Sequence, residues 1–266
     1  MRNRTSRDAL MSGDTTPEKM LRILDLIAAS DVPVTTEAIT TAIGFTRSTL
    51  YRYLKVLTES ELITSLPEAG FTLGPRIAEL DYRMRRTDPL IAASRAVMAE
   101  LARSERGLVL LCRRYKDKVL CIHQERAEIS LRSHYARGLA RPLHRGAASR
   151  IILACLKSAT VNRLYAALPQ EFAEVGLGGS VTEVRASLRQ IRQQGWDVTH
   201  GQLTVGVTGV AAPIFDPRGE VLGSFSITVP APNPGETEQQ RLIERIVFCT
   251  QIIQSTLSPS FHDGMV

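Results

Sequence analysis

Between Gly44 and Thr58 the chain carries Arg47, Arg52 and Lys55 and no acidic residue. The same stretch, GFTRSTLYRYLKVLT, spaces Leu50, Leu54 and Leu57 at i, i+4 and i+7, the apolar stripe of an amphipathic helix. Its polar side then collects Arg47, Ser48, Tyr51, Arg52 and Lys55. A helical face of guanidinium, hydroxyl and ammonium groups without acids can reach base edges and neutralise phosphates, so the expected chemistry is polyanion binding. The alternative is an ordinary solvated face whose arginines, Arg52 above all, form ion pairs inside the molecule.

The flanking segments favour the first reading. Pro17-Glu18 opens a helix with Met20, Leu21, Leu24, Ile27 and Ala28 at helical spacing, and Ser30-Asp31-Val32-Pro33 ends it. A short second helix spans residues 36–43. Gly44-Phe45 makes a corner, and Thr46 is a good N-cap for the third helix. In LITSLPEAGFTLG, residues 62–65 and 71–73 read as strands around the turn Pro67-Glu68-Ala69-Gly70. Two helices joined at a glycine corner and followed by a hairpin are the parts of a winged helix-turn-helix, although a plain three-helix bundle with a hairpin shares them. On the winged-helix reading Arg47, Ser48 and Tyr51 lie nearest base edges, and Thr49 and Arg52 anchor phosphates. The forked Arg47 guanidinium can span guanine O6 and N7.

Other chemistries find little support. There is no HExxH, no His/Cys cluster and no G-x-S-x-G elbow, so neither a metal site nor a catalytic centre is expected, and no cofactor. The run Gly176–Gly179 lacks the lysine of a phosphate loop and reads as a flexible loop. His144 reads as a structural hydrogen-bonder. Cys112, Cys121, Cys155 and Cys249 sit among apolar neighbours with no CxxC pair, as buried thiols would; a thiol-based redox sensor is the alternative.

The whole chain has 266 residues and a net charge of +6, with 33 Lys/Arg against 27 Asp/Glu. Residues 1–87 hold 12 basic and 11 acidic residues, so most of the excess lies further on and bulk charge alone says little about DNA. The polar start has no signal-peptide core, and no apolar run approaches the ~20 residues of a membrane span. A soluble, cytoplasmic protein is expected.

Asp88 before Pro89 disfavours helix continuation, which places a domain boundary there. The expected organisation is a tail (1–15), a winged helix-turn-helix (16–75), a linker helix (76–88) and a larger domain (89–260). In that domain, strands around Lys116-Asp117-Lys118, helices near 159–167 and 181–194, a strand pair around Asp216-Pro217-Arg218-Gly219 and a closing helix fit an α+β fold with an antiparallel sheet.

Over nearly its whole length the chain resembles the IclR family of bacterial transcriptional regulators. The likeness is carried by TRSTLYRYLKVLTESELI, by RPLHRGAASRIILA and by GWDVTHGQLTVGVTGVAAPIFDPRGEVLGSFSITVP. It implies a C-terminal GAF-like α/β domain that binds a small-molecule effector and alters affinity for double-stranded operator DNA. It also implies a homodimer or dimer of dimers, and control of a catabolic operon, as repressor or alternatively as activator. Carried over by position, Ala147 and Ala148 hold a ligand carboxylate at a helix start. Thr199, Ser226 and Thr228 supply hydroxyls, Val207 and Gly209 form wall, and Ser133 and Arg141 fall on lining positions. Two departures stand out: Ser149-Arg150-Ile151 replaces the usual Gly-Lys-Ala, and Gln202 stands where an acid is common. Arg141 would select a carboxylate if it points inward, and would be a solvated rim residue otherwise.

Overall fold

The computed structural model describes residues 15–126, 137–230 and 234–260. The chain divides into two compact units, 1–87 and 88–266.

In the first unit three helices, α1 (Thr16–Ala28), α2 (Thr36–Ile43) and α3 (Arg47–Glu59), precede a two-stranded ribbon, β1 (Ile63–Leu66) and β2 (Gly70–Leu73). The Glu18 carboxylate accepts from the Thr15 N–H at 2.7 Å and fastens the start of α1. Gly44 ends α2 in the left-handed region, and Thr46 caps α3 by accepting from the Thr49 N–H. Leu50, Leu54 and Leu57 are buried with Ile23, Ile27, Ile39 and Ile63. Tyr53 joins this core, whereas Val56 is exposed. The ribbon gains a partner that local patterning did not reveal: Val34, just before α2, exchanges both backbone hydrogen bonds with Phe71, at 2.8 and 2.9 Å. This pairing presses Val34 against the turn, where a Cβ on Gly70 would lie 2.5 Å from the Val34 carbonyl oxygen. Helix α4 (Pro75–Thr87) follows and buries none of its residues.

The second unit opens with α5 (Pro89–Glu105), whose N-cap Asp88 accepts from the Leu90 and Ile91 N–H groups and pairs with Arg113 at 3.1 Å. Then come β3 (Leu108–Tyr115), β4 (Lys118–Arg126), β5 (Ala140–Pro142), α6 (Ala147–Ala154), α7 (Ser158–Ala167), α8 (Pro169–Glu174), α9 (Val181–Gln194), β6 (Asp197–His200), β7 (Thr208–Phe215), β8 (Val221–Val229) and α10 (Glu236–Ser260). The strands form one antiparallel sheet in the order β5-β4-β3-β8-β7-β6. The unit is therefore a mixed α/β domain built on an antiparallel sheet.

Both faces of this sheet are covered, and alternation along each strand sorts the side chains. Val109, Leu111, Val210, Ala212, Phe225 and Ile227 meet α5 and α10. Leu108, Leu110, Cys112 and Ala211 meet α6 and the helices behind it. The Gly176–Gly179 run is more ordered than a flexible loop. The Gly179 N–H donates to Glu183, and a Cβ on Gly178 would lie 2.6 Å from Glu183 Cβ, so the run folds tightly onto the start of α9.

Candidate functional sites

In the N-terminal unit the structure brings together the residues singled out on α3. Arg47, Ser48, Tyr51, Arg52 and Lys55 are all exposed, with Tyr51 58% accessible, and Thr46 and Thr49 share a hydroxyl hydrogen bond of 3.0 Å at the helix start. Arg47 and Tyr51 line a crevice with Thr36, Glu37, Thr40 and Thr41 of α2, so the acid-free character of α3 does not extend to its neighbour. Arg52 lies over the Tyr53 ring at 5.3 Å, a cation–π contact rather than an ion pair. Lys55 faces Glu59 at 3.7 Å; so exposed a pair contributes about 0–1 kcal/mol and leaves the ammonium free to exchange partners.

In the C-terminal unit a cavity forms between the sheet and the start of α6. The strands contribute Leu110, Thr199, Gly209, Ser226 and Thr228. Gly146, Ala147 and Ala148 close one side, and the β6–β7 connection covers it with Gln202, Leu203 and Val207. About 30 Å³ of the concavity is open to the centre of a water-sized sphere, enough for a water but far too little for an organic acid without rearrangement. Gly146 starts α6 at φ +83°, a conformation that favours glycine, and the Leu203 side chain packs over it, with Cδ1 2.5 Å from where a Cβ would lie.

Alternation on β8 gives the cavity its polarity. Phe225, Ile227 and Val229 face α10's side, and Ser224, Ser226 and Thr228 face α6's side. Ser224 Oγ donates to the Ala148 carbonyl at 2.7 Å, and the Ala147 N–H donates to Thr199 Oγ1 at 3.1 Å. Thr199 therefore braces the helix start as an acceptor, which leaves its own O–H proton as a donor. Gln202 braces it further: its Oε1 accepts from the Gly146 N–H at 3.0 Å, and its Nε2 donates to the Val175 carbonyl at 3.1 Å. Ser226 is only 3% exposed, and among the described residues its hydroxyl has no hydrogen-bond partner. A buried hydroxyl left unpaired costs ~1–3 kcal/mol, so this one marks a place where a partner is wanted.

Ala147, Ala148, Thr199, Val207, Gly209, Ser226 and Thr228 are thus brought together. Arg141 sits on β5 opposite Val119 and is not among the described residues that line the cavity. Ser133 lies outside the described residues. Sequence reading gave Arg150 no role. Its Nε lies 2.9 Å from Asp197 Oδ2, behind the cavity, and burial pushes the Asp197 carboxyl up to about 6 against the pull of that guanidinium. His144 is buried 3.0 Å from Glu171, and burial holds its pKa below the ordinary histidine value. Burial raises Cys249 and pushes Cys155 up to about 11, whereas contact with Cys112 across the β3–β4 ladder lowers Cys121.

Family models of the IclR helix-turn-helix domain and of the bacterial transcriptional regulator IclR C-terminal domain match residues 16–67 and 84–255. The chain belongs to the IclR family. As an IclR regulator it is a DNA-binding transcription factor and not an enzyme, and its C-terminal domain is of the kind that binds small-molecule effectors. Its relatives include the probable transcriptional regulator SauR of Cupriavidus necator, 26% identical over 80% of this chain and 84% of that protein. The regulator TtgV of Pseudomonas putida is 26% identical over 81% and 80%. An IclR regulator from Alicyclobacillus acidocaldarius shares the fold with a TM-score of 0.76 at 20% identity, covering 92% of this chain and 99% of that one. An IclR homologue from Microbacterium hydrocarbonoxydans, solved with 4-hydroxybenzoate, gives 0.72 at 17% identity over 91% and 99%. Among the described residues no helix is long and apolar enough to cross a membrane.

Proposed function

We propose that this IclR regulator represses a catabolic operon and releases its operator when a small organic acid occupies the cavity at the start of α6. The observation that carries the proposal is the buried Ser226 hydroxyl, without a hydrogen-bond partner among the described residues, lining the same cavity as the Gly146 N–H at the helix start. Helix-start amides favour an anion, and Ser226 adds a donor. Gln202 now holds the Gly146 N–H, so the acid must displace it. Two neutral hydrogen bonds contribute ~0.5–1.5 kcal/mol each, whereas bonds to a carboxylate contribute ~1.5–3 kcal/mol each, so a carboxylate that also engages Ser226 wins. The cavity's small free volume requires the β6–β7 connection to yield. Gly201 and Gly206, both at positive φ, bracket the part that covers the site. The 4-hydroxybenzoate of the Microbacterium structure makes an aromatic acid one candidate class, beside short aliphatic acids.

On the DNA side, Arg47, Ser48 and Tyr51 meet base edges, and Thr46, Thr49, Arg52 and Lys55 meet phosphates. Residues 16–75 form the reading unit, 76–88 the linker and 89–260 the sensor, with residues 1–15 as a tail. The regulator acts in the cytoplasm as a homodimer or dimer of dimers. Exposed Leu80, Tyr82 and Met84 on α4 support self-association, since apolar surface of this kind marks contact sites.

Thermal shift against aliphatic and aromatic carboxylates, with neutral analogues beside them, tests the acid reading. A ligand at 100 times its Kd adds ~2.7 kcal/mol, which is readily seen. The expected result is a response confined to acids, lost in Ala148→Leu, with operator release by the same acid. Responses to neutral analogues alone would reject the carboxylate site.

A further inference from the structure

A second concavity lies between α9 and the α6–α7 corner and shares no lining residue with the effector cavity. Its wall is Arg185, Arg189 and Arg192, with Ser158 opposite and an apolar floor that includes Leu156 and Val161. The three arginines fall at i, i+4 and i+7, so their side chains form one ridge on α9. Arg185 Nε is held by Asn162 Oδ1 at 2.9 Å. Among the described residues, Arg189 and Arg192 make no hydrogen bond or ion pair, and no acid lines the cleft.

Elsewhere in the domain several arginines are paired with acids, while others such as Arg106 and Arg114 have no carboxylate partner among the described residues. Arg113, Arg145, Arg150, Arg163, Arg241 and Arg245 each engage a carboxylate. Arg185, Arg189 and Arg192 are exposed, so water screens much of their mutual repulsion, but an anion with several charged oxygens seated between them can engage all three at once. The cleft measures about 210 Å³, room for such a group. Planar guanidinium groups bind phosphate and carboxylate oxygens through paired hydrogen bonds. Arg192 also lies near Cys155 at the C-terminal end of α6, where a cation is favoured in any case, which leaves Arg189 as the decisive residue.

We propose that this cleft is a second anion site, for a compact polyanion of the phosphorylated or polycarboxylic class. Isothermal titration of the full-length chain with inorganic pyrophosphate, citrate or acetate, at ionic strength matched with sodium chloride, tests it. The expected result is saturable binding of pyrophosphate or citrate with one site per chain. Acetate should bind at least tenfold more weakly. The Arg189→Gln/Arg192→Gln variant should lose at least tenfold in affinity, and Ser226→Ala should leave it unchanged. Absence of saturable binding at matched ionic strength would overturn the proposal, as would binding that survives the double variant. So would a double variant whose only deficit is weaker operator binding, which would give the ridge to DNA phosphates.

Discussion

Ser226→Ala should stabilise the free protein while weakening its response to effector. Ser226 lies mid-strand on β8, its backbone paired with Leu110 on β3 and Ala211 on β7. Alanine keeps these ladder bonds and takes no hydrogen bond from any described group, because among the described residues the hydroxyl makes none. What it removes is the ~1–3 kcal/mol cost of a buried unpaired polar group. The gain falls toward zero where a single water occupies the small free volume and satisfies the hydroxyl. In a domain of 150–250 residues each kcal/mol moves Tm by ~2–4 °C, so the rise lies between zero, where a water satisfies the hydroxyl, and about 12 °C for the full cost. Effector then acts in the opposite direction. Acid at 100 Kd stabilises the parent by ~2.7 kcal/mol; a tenfold weaker variant, at 10 Kd, gains only ~1.4 kcal/mol. Melting curves of both proteins with and without acid supply all four values. A variant that melts several degrees lower without ligand, or that keeps the full ligand-induced shift, would show that the hydroxyl is satisfied in the fold or lies off the ligand.

Two further outcomes are expected. Arg47→Ala should lose ~1–3 kcal/mol of specific operator binding and relax discrimination at one base pair, with fold and oligomer intact; unchanged affinity and specificity in a gel-shift series would displace α3 from the groove. Asp197, with its carboxyl raised to about 6 by burial, binds its proton more tightly folded than unfolded, where the value is ~3.9. Its protonation therefore supports the fold fully below about pH 4 and ceases to do so as pH rises through 6. Asp197→Asn should remove this falling component from a Tm series between pH 4 and 7, and superimposable slopes for the two proteins would refute the assignment.

Features decided by local spacing were legible in the sequence. Thr46 as a cap, the leucine stripe of α3, Asp88-Pro89 as a helix start and the alternating β7 and β8 follow from residue types within a few positions of one another. Features decided by distant partners were not. Thr199 looks like a free hydroxyl until β6 is set beside α6, 52 positions away in sequence, where it accepts from Ala147. Val34 looks like loop until the ribbon turn meets it. Arg141 falls on β5, and that strand's place beside β4 follows from a pairing with Val119 that no local pattern announces. The Arg150–Asp197 pair gives no local signal, since its members belong to different elements.

The bracing of α6 narrows how an effector can act. Its first turn is held at three points: Ala147 by Thr199, Ala148 by Ser224 and Gly146 by Gln202. The first two partners are buried on sheet strands, and moving them would break β6–β7 or β8 pairing. Gln202 sits in the connection between β6 and β7, tied to the sheet by none of the ladder bonds, so it is the brace that yields at least cost. An acid that replaces the Gln202 oxygen on Gly146 also frees its Nε2 from the Val175 carbonyl, which Arg150 shares at 3.4 Å. On the proposed function, occupation of the cavity is thus read first by the β6–β7 connection and next by the Val175–Arg150–Asp197 contacts behind it, while α6 stays fixed as the surface against which the ligand is measured.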